Sequence, residues 1–356
     1  MLIVGDLHIT HNRQFAYIEQ DGSNSWVNIG INCLKEVLDK GRELDCPIVF
    51  LGDIFDSKDR IPSYVLNAFY DEITAYPKDK DIYILVGNHD YLMKDNPTYK
   101  ILDKFENIHI VDKASVFEIE DVLHNFIPFI RDEKQFIENI KKFNKTDDIE
   151  KDSILFLHQD INGAKYSESI SVENTIKEDL FKNWNKVISG HIHIPQKLKK
   201  VEYVGSLYNM DFGTDYEPHF IELTDNKIKY HVCKNSPKFL VLDNIKPEEI
   251  LNELKKLKLK EINFLKIKES LTSGELLDFN VREIRKSILE NYPQIKAIKF
   301  DINKIGNSKI IKEREVLVKN SKNYNDVISK YVKFKGTPKE EIKIITEIGK
   351  NLFNEI

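Results

Sequence analysis

Five apolar runs, each ending in Asp, Asn or His, constrain this chain more than anything else in its sequence. Met1-Leu2-Ile3-Val4-Gly5 runs into Asp6-Leu7-His8, and Ile48-Val49-Phe50-Leu51-Gly52 runs into Asp53. Ile82-Tyr83-Ile84-Leu85-Val86 runs into Gly87-Asn88-His89-Asp90. Ile154-Leu155-Phe156-Leu157 meets His158, and Val187-Ile188-Ser189-Gly190 meets His191-Ile192-His193. Short, continuous apolar runs of this kind read as buried strands. Their polar ends carry the residue types that bind borderline and hard divalent cations.

The rest of the chain fits a layered α/β unit. Helical spacing predicts helices over 28–42, 63–75, 98–105 and 133–143, with Ser63 a candidate cap for the second. The segment from Ile9 to Val27 is polar and reads as a loop. Val116–Ile119 and Val122–Pro128 read as paired strands of a second sheet. Lys197–Val204, Pro218–Leu223 and Lys227–His231 read as antiparallel strands. This block, about 1–235, collects its polar loops at one end of the strands, where sites sit in such architectures. Asn235-Ser236-Pro237 marks a boundary. Beyond it a β-α-β-α-β order suggests a small α+β domain at 236–304. A polar linker at 305–323 and a helical segment at 324–356 follow. The last helix opens on Thr337-Pro338-Lys339-Glu340, a capping box with proline at its first helical position.

Composition narrows the class. A chain of 356 residues fits two or three domains, and 41% hydrophobic with 31% charged residues is ordinary for a globular protein. The net charge of -5 argues against a wholly basic nucleic-acid coat, but not against local basic patches. Cys33, Cys46 and Cys233 have no framework spacing, which fits buried thiols in a reducing compartment. No apolar run reaches the length of a membrane span, and Met1 leads straight into a strand, so neither an anchor nor a signal peptide is expected.

The polar strand ends suit a pair of divalent cations. Such a pair needs one bridging carboxylate, oxygen and imidazole ligands on each side, and open positions for water and substrate. Asp53 is the natural bridge. Asp6 with His8, and His191 with His193, are i, i+2 pairs that point to one side of their strand ends. Asn88 and His158 add neutral ligands. A neutral-rich set suits Mn²⁺, Fe²⁺ or Zn²⁺ better than Ca²⁺ or Mg²⁺. Taken singly, each motif is more often a turn, a cap or a satisfied surface histidine. Five of them in this order, each after a buried strand, are not. His11, His109, His124, His219 and His231 lack that setting.

These motifs resemble those of the calcineurin-like metallophosphoesterase superfamily. Gly52-Asp53-Ile54-Phe55-Asp56, Gly87-Asn88-His89-Asp90, Ile188-Ser189-Gly190-His191-Ile192-His193 and Tyr203-Val204-Gly205-Ser206-Leu207 are similar to SbcD-type DNA repair nuclease subunits, and most of all to phage recombination endonuclease subunits. The resemblance implies a layered β-sandwich core flanked by helices, with a small capping domain and C-terminal helices. It implies one cation held by Asp6, His8, Asp53 and His193, and a second by Asp53, Asn88, His158 and His191, with Mn²⁺ the preferred ion and Mg²⁺, Fe²⁺ and Zn²⁺ as alternatives. It makes His89 the residue over the substrate phosphate, with Asp90 orienting it. Some nuclease relatives carry a histidine three residues after the bridging aspartate. Here that position is Asp56, and its role stays open.

The same resemblance implies an exonuclease and endonuclease acting on DNA ends in recombination and repair, in the cytoplasm of a bacterial cell or phage-infected host. Its partners would be DNA, an SbcC-type coiled-coil ATPase bound through the C-terminal helices, and a second copy bound through helices of the nuclease domain. Lys58, Arg60, Lys94 and Lys197, with Lys199 and Lys200, are candidate phosphate contacts, and each is equally a solvated residue of a lysine-rich chain. Tyr208 and Tyr216 either stack on bases or pack. Two other readings compete: a phosphatase or nucleotide phosphodiesterase with no DNA role, and a non-catalytic scaffold.

Overall fold

The computed structural model describes residues 1–305 apart from 12, 94–95, 146–148, 150–151, 168, 214–215, 273–274 and 277–278. Lys94, the linker beyond 305 and the helical segment at 324–356 lie outside the described residues.

The strands in chain order are β1 (Leu2–Val4), β2 (Ile48–Phe50), β3 (Ile82–Leu85), β4 (Tyr91–Met93), β5 (Asn96–Pro97), β6 (Ile108–Val111), β7 (Ser115–Ile119), β8 (Val122–Ile127), β9 (Ile154–His158), β10 (Lys165–Ser167), β11 (Ile170–Ser171), β12 (Lys186–Gly190), β13 (Gln196–Lys197), β14 (Val201–Tyr203), β15 (His219–Thr224), β16 (Lys227–Val232), β17 (Lys238–Asp243), β18 (Asn263–Leu271) and β19 (Ile295–Lys304). The helices are α1 (Ser25–Leu44), α2 (Ser63–Thr74), α3 (Glu133–Phe143), α4 (Ile250–Lys256) and α5 (Val281–Asn291). Two six-stranded sheets run β16-β15-β1-β2-β3-β6 and β13-β14-β12-β9-β8-β7.

The apolar runs explain the layering. Alternate side chains of a strand point to opposite faces. Ile3, Val49, Leu51 and Leu85 of the first sheet pack with Phe126, Ile154, Phe156 and Ile188 of the second. Leu2, Val4, Ile48, Phe50 and Ile84 face the other way, onto Leu34, Val37, Leu38 and Phe69 of α1 and α2. Leu155, Leu157 and Val187 cover Phe136 and Ile140 of α3. Both faces of the central strands are therefore buried, which is why no polar alternation shows in them. β1, β2, β3 and β6 are parallel neighbours, as are β8, β9, β12 and β14. Their carboxyl ends carry all five polar motifs.

Several local expectations need correction. α1 begins at Ser25 rather than near Asn28, because Asn24 caps it by accepting from the Trp26 and Val27 N–H groups. Pro62 precedes α2, and no side chain caps that helix, so Ser63 is its first residue and not its cap. Only Lys100–Lys104 of the expected 98–105 helix forms, as a 3₁₀ turn. The expected 197–204 strand divides into β13 and β14, joined where the Leu198 N–H donates to the Val201 carbonyl at 2.9 Å, and β14 runs parallel to β12.

After β16 the chain builds a separate three-stranded sheet, β17-β18-β19, with parallel strands joined through α4 and α5. Leu240, Leu242, Leu265 and Ile267 pack there with Ile250, Leu254 and Ile288. Phe239 and Phe264 face the other way and meet Trp26 of α1 at ring-centroid distances of 6.3 and 5.6 Å. Among the described residues no helix is long and apolar enough to cross a membrane. Cys33, Cys46 and Cys233 are buried free thiols.

Candidate metal centre

The strand ends converge from both sheets. β1 delivers Asp6 and His8, β2 delivers Asp53, and β3 delivers Asn88, His89 and Asp90. β9 ends in His158, and β12 leads to His191 and His193. Asp6, His8, Asp53, Asn88 and His158 are buried. Their backbones are unusual too. His8, Asp53 and His191 have φ of 45, 50 and 83°, a left-handed region that non-glycine residues rarely adopt. Strain of this kind persists where the surroundings over-determine it, and it clusters at functional sites.

Two sets of donors meet at Asp53. Its Oδ2 lies 3.5 Å from His8 Nε2 and 3.3 Å from His158 Nε2. On one side, His8 Nε2 is 2.9 Å from His193 Nε2. On the other, Asn88 Oδ1 is 3.0 Å from His158 Nε2 and 2.7 Å from His191 Nδ1. Asp6, His8 and Asp53 offer ligand atoms within 4.8 Å of one another, and so do Asp53, His158 and His191. Asp6 also accepts the His191 N–H, at 3.0 and 3.1 Å from its two oxygens, which fixes the β12 loop against β1.

The donor chemistry fits divalent cations. Burial and then the neighbouring His193 hold the His8 imidazole well below its usual pKa, and burial likewise lowers His193. Both shifts favour the neutral imidazole that a cation would require. Burial would raise the Asp53 carboxyl, but the His158 charge beside it wins and holds it well below the carboxylate range. Burial pushes His158 down, yet Asp53 and Asp6 outweigh it and raise its pKa to about 9. A proton on His158 offsets the buried carboxylates when no cation does. Its Nδ1 lies 2.7 Å from the Leu51 carbonyl, so Nε2, aimed at Asp53 and Asn88, is the atom that would have to give up a proton for a metal to bind there.

Close packing explains the glycines of these motifs. A Cβ on Gly87 would lie 2.1 Å from Asp53 Oδ1, and one on Gly52 would lie 2.6 Å from His158 Nδ1.

Asp90 has a different task from the one its sequence position suggests. Its carboxylate accepts the Asp53 N–H at 2.8 Å, the Ile54 N–H at 3.1 Å and the Gly87 N–H at 2.8 Å. It braces the β2 loop to the β3 loop and does not orient the His89 ring. That ring instead places Nδ1 2.8 Å from the Asp56 carbonyl oxygen, and the His89 N–H donates to Asp53 Oδ1 at 2.8 Å. The Asp56 carboxylate is 3.6 Å from His8 Nδ1 and 3.0 Å from Arg13 Nη2. The His89 and His8 rings meet edge to face at 4.8 Å.

The other candidates divide. Lys58 and Arg60 sit in the loop after Asp53. Lys197 is exposed on β13, 3.9 Å from Glu202. Tyr208 is a packing residue, fully buried with its hydroxyl donating to the His8 carbonyl at 3.2 Å. The Tyr216 hydroxyl is 2.6 Å from that of Ser206. Sequence reasoning missed Arg13, which touches the site through Asp56, and Asp160, whose Oδ1 is 3.1 Å from His191 Nε2. Arg13 gave no local signal. Asp160 gave one, because it stands two residues beyond His158, the spacing already noted for Asp6 and His8.

The family pattern described as Calcineurin-like phosphoesterase matches residues 1–195, more than half of the chain. The chain belongs to the calcineurin-like phosphoesterase family. Metal-dependent phosphoester hydrolysis is the chemistry of that family, and the buried His/Asp cluster is this chain's candidate metal site. Two similar proteins are Exonuclease subunit 1 of Enterobacteria phage T4, 26% identical over 184 residues and 49% of this chain, and Putative phosphoesterase 244L of Invertebrate iridescent virus 6, 28% identical over 168 residues and 46% of this chain. The matches span 52% and 58% of those proteins, so the chain covers about half the length of the relatives it matches. A solved calcineurin-like phosphoesterase, YfkN from Bacillus subtilis, is 17% identical with a TM-score of 0.35, over 65% of this chain and 87% of its own.

Proposed function

We propose that this protein is a two-metal DNA nuclease subunit that hydrolyses phosphodiester bonds at DNA ends, as exonuclease and endonuclease, in recombination and repair. The observation that carries the two-metal part is the Asp53 carboxylate, which stands between two separate groups of imidazole and oxygen donors. The DNA part is supported by the likeness to the phage exonuclease subunit over about half its length.

Asp6, His8, Asp53 and His193 would hold one cation, and Asp53, Asn88, His158 and His191 the other, with Mn²⁺ the proposed ion and Mg²⁺, Fe²⁺ or Zn²⁺ as alternatives. Bound cations would polarise the phosphodiester and lower the pKa of a water nucleophile. The chain's own groups do the rest. The Asp56 carbonyl keeps a proton on His89 Nδ1, so Nε2 is the atom through which this ring exchanges a proton with substrate. A protonated Nε2 stabilises the reacting phosphate or protonates the leaving 3′ oxygen. Asp90 holds the two loops that carry Asp53, Asn88 and His89 in register.

Lys58, Arg60, Lys94 and Lys197 are the proposed phosphate contacts. The domains are taken as 1–235 for the nuclease and 236–304 for the cap. The apolar stripe at 324–356 is read as a helix for the groove of an SbcC-type ATPase, and α1 or α2 as a dimer surface. The proposed setting is the cytoplasm of a bacterial cell or phage-infected host.

The test is digestion of end-labelled linear duplex and single-stranded DNA with Mn²⁺, comparing the intact protein with His89→Ala and Asp53→Asn. Metal-dependent loss of label that both substitutions abolish is the expected result. Intact DNA beside cleavage of a small phosphate ester would replace the nuclease reading with a phosphatase. Neither activity, with or without the ATPase, would leave a scaffold.

A further inference from the structure

The two donor groups are unequal in charge. The His8 side has two carboxylates, Asp6 and Asp53. The His158 side has only the shared Asp53, with an amide and two imidazoles. We propose that Asp160 is a positioning residue that redresses this difference. It fixes the His191 tautomer that presents Nδ1 to the second cation, and it adds a negative charge beside that cation.

The geometry starts at His191. A neutral imidazole has one N–H and one lone pair. Nδ1 points into the donor group, 2.7 Å from Asn88 Oδ1: without a cation it donates to that oxygen, and as a ligand it would give up this proton, leaving the neutral ring's N–H on Nε2. Nε2 is buried, and Asp160 Oδ1 is 3.1 Å away, although the N–H direction is off the line of a full hydrogen bond. Asp160 is itself held. The Tyr166 hydroxyl on β10 donates to the same Oδ1, and Asn174 Nδ2 donates to the Asp160 carbonyl at 3.1 Å. The Asp160 side chain is 28% exposed and that of His191 8%, so water only partly screens the pair. Phe129 flanks the other face of the site, its ring 5.6 Å from that of His191. A carboxylate on the far nitrogen of a ligating histidine both orients the ring and makes it a stronger donor.

This inference rests on the two-cation reading, and one titration separates the two. Mn²⁺ is titrated into the full chain and followed by electron paramagnetic resonance, and the His191 ring nitrogens are observed by NMR in the protein loaded with diamagnetic Zn²⁺. The unchanged protein should take two Mn²⁺ and show the proton on Nε2. Asp160→Asn keeps an acceptor but loses the charge, so the tautomer should stay while one Mn²⁺ weakens by about 10–100-fold and the other does not. Asp160→Ala should also lose the tautomer preference. Tyr166→Phe should weaken the same Mn²⁺ by less, and it serves if the Asp160 variants fail to fold. Equal weakening of both ions, or of neither, overturns the role of Asp160 and leaves the two-cation reading standing. Fewer than two Mn²⁺ in the unchanged protein overturns both.

Discussion

Adding one methyl group at Gly87 should disable the metal centre while leaving the protein folded. A Cβ there would meet Asp53 Oδ1 at 2.1 Å, the Asp53 backbone nitrogen at 2.6 Å and His158 Cε1 at 2.8 Å. Ordinary contacts to carbon are about 3.5–4.0 Å, so the carboxylate must retreat by more than about 1 Å. It has little freedom, because Oδ1 accepts the His89 N–H and the Asp53 N–H is held by Asp90. Gly87 does not have positive φ, so alanine adds no backbone strain and the effect is steric. Overpacking of this kind costs about 1–3 kcal/mol. At about 2–4 °C per kcal/mol, the metal-free Gly87→Ala protein should melt a few degrees low but cooperatively. The larger loss should be in cation binding. Mn²⁺ at 100 times its Kd should stabilise the unchanged protein by about 2.7 kcal/mol, and Gly87→Ala should lose most of that gain. Thermal melts with and without Mn²⁺ measure both terms. A variant with the full Mn²⁺ gain and normal activity would refute the placement of Asp53 at the centre.

The raised pKa of His158 would make the proposed cation binding pH-dependent. Folding is favoured by its proton below the ordinary value of 6.5, and that contribution is lost as pH rises through about 9. Metal affinity runs the opposite way, because the proton must leave. For the cation on the His158 side it should climb about tenfold per pH unit towards pH 9, with about one proton released when that side fills near neutrality and none from the His8 side, as calorimetry in buffers of different ionisation enthalpy would show. A flat profile would mean that His158 is not a ligand. Asp90→Ala leaves three buried N–H groups without their acceptor, so it should cost on the order of 3 kcal/mol and loosen both loops, as denaturant melts would report. A change under about 0.5 kcal/mol would contradict the bracing role. His89→Ala should abolish cleavage with Mn²⁺ stoichiometry unchanged, because no proposed cation depends on that ring.

What was legible in the sequence was local. Each apolar run announced a strand buried on both faces, and each polar end announced a candidate ligand. The β-α-β-α-β order of 236–304 was also legible, because its helices and strands each carry their own periodicity. What was not legible depended on partners far along the chain. Asp90 looked like a neighbour of His89, yet its three donors come from Asp53, Ile54 and Gly87. Asp56 looked idle until folding set its carbonyl on His89 and its carboxylate beside Arg13. Asn24 could have been read as a cap, but the polar residues around it hid the buried Trp26 and Val27 that begin α1.

The central claim is that Asp53 bridges two cations, and anomalous diffraction from Mn²⁺-soaked crystals tests it most directly. The account predicts two peaks about 3.5–4 Å apart, one beside His8 and His193 and the other beside Asn88, His158 and His191, with Asp53 between them. A single peak, or peaks away from Asp53, would contradict it.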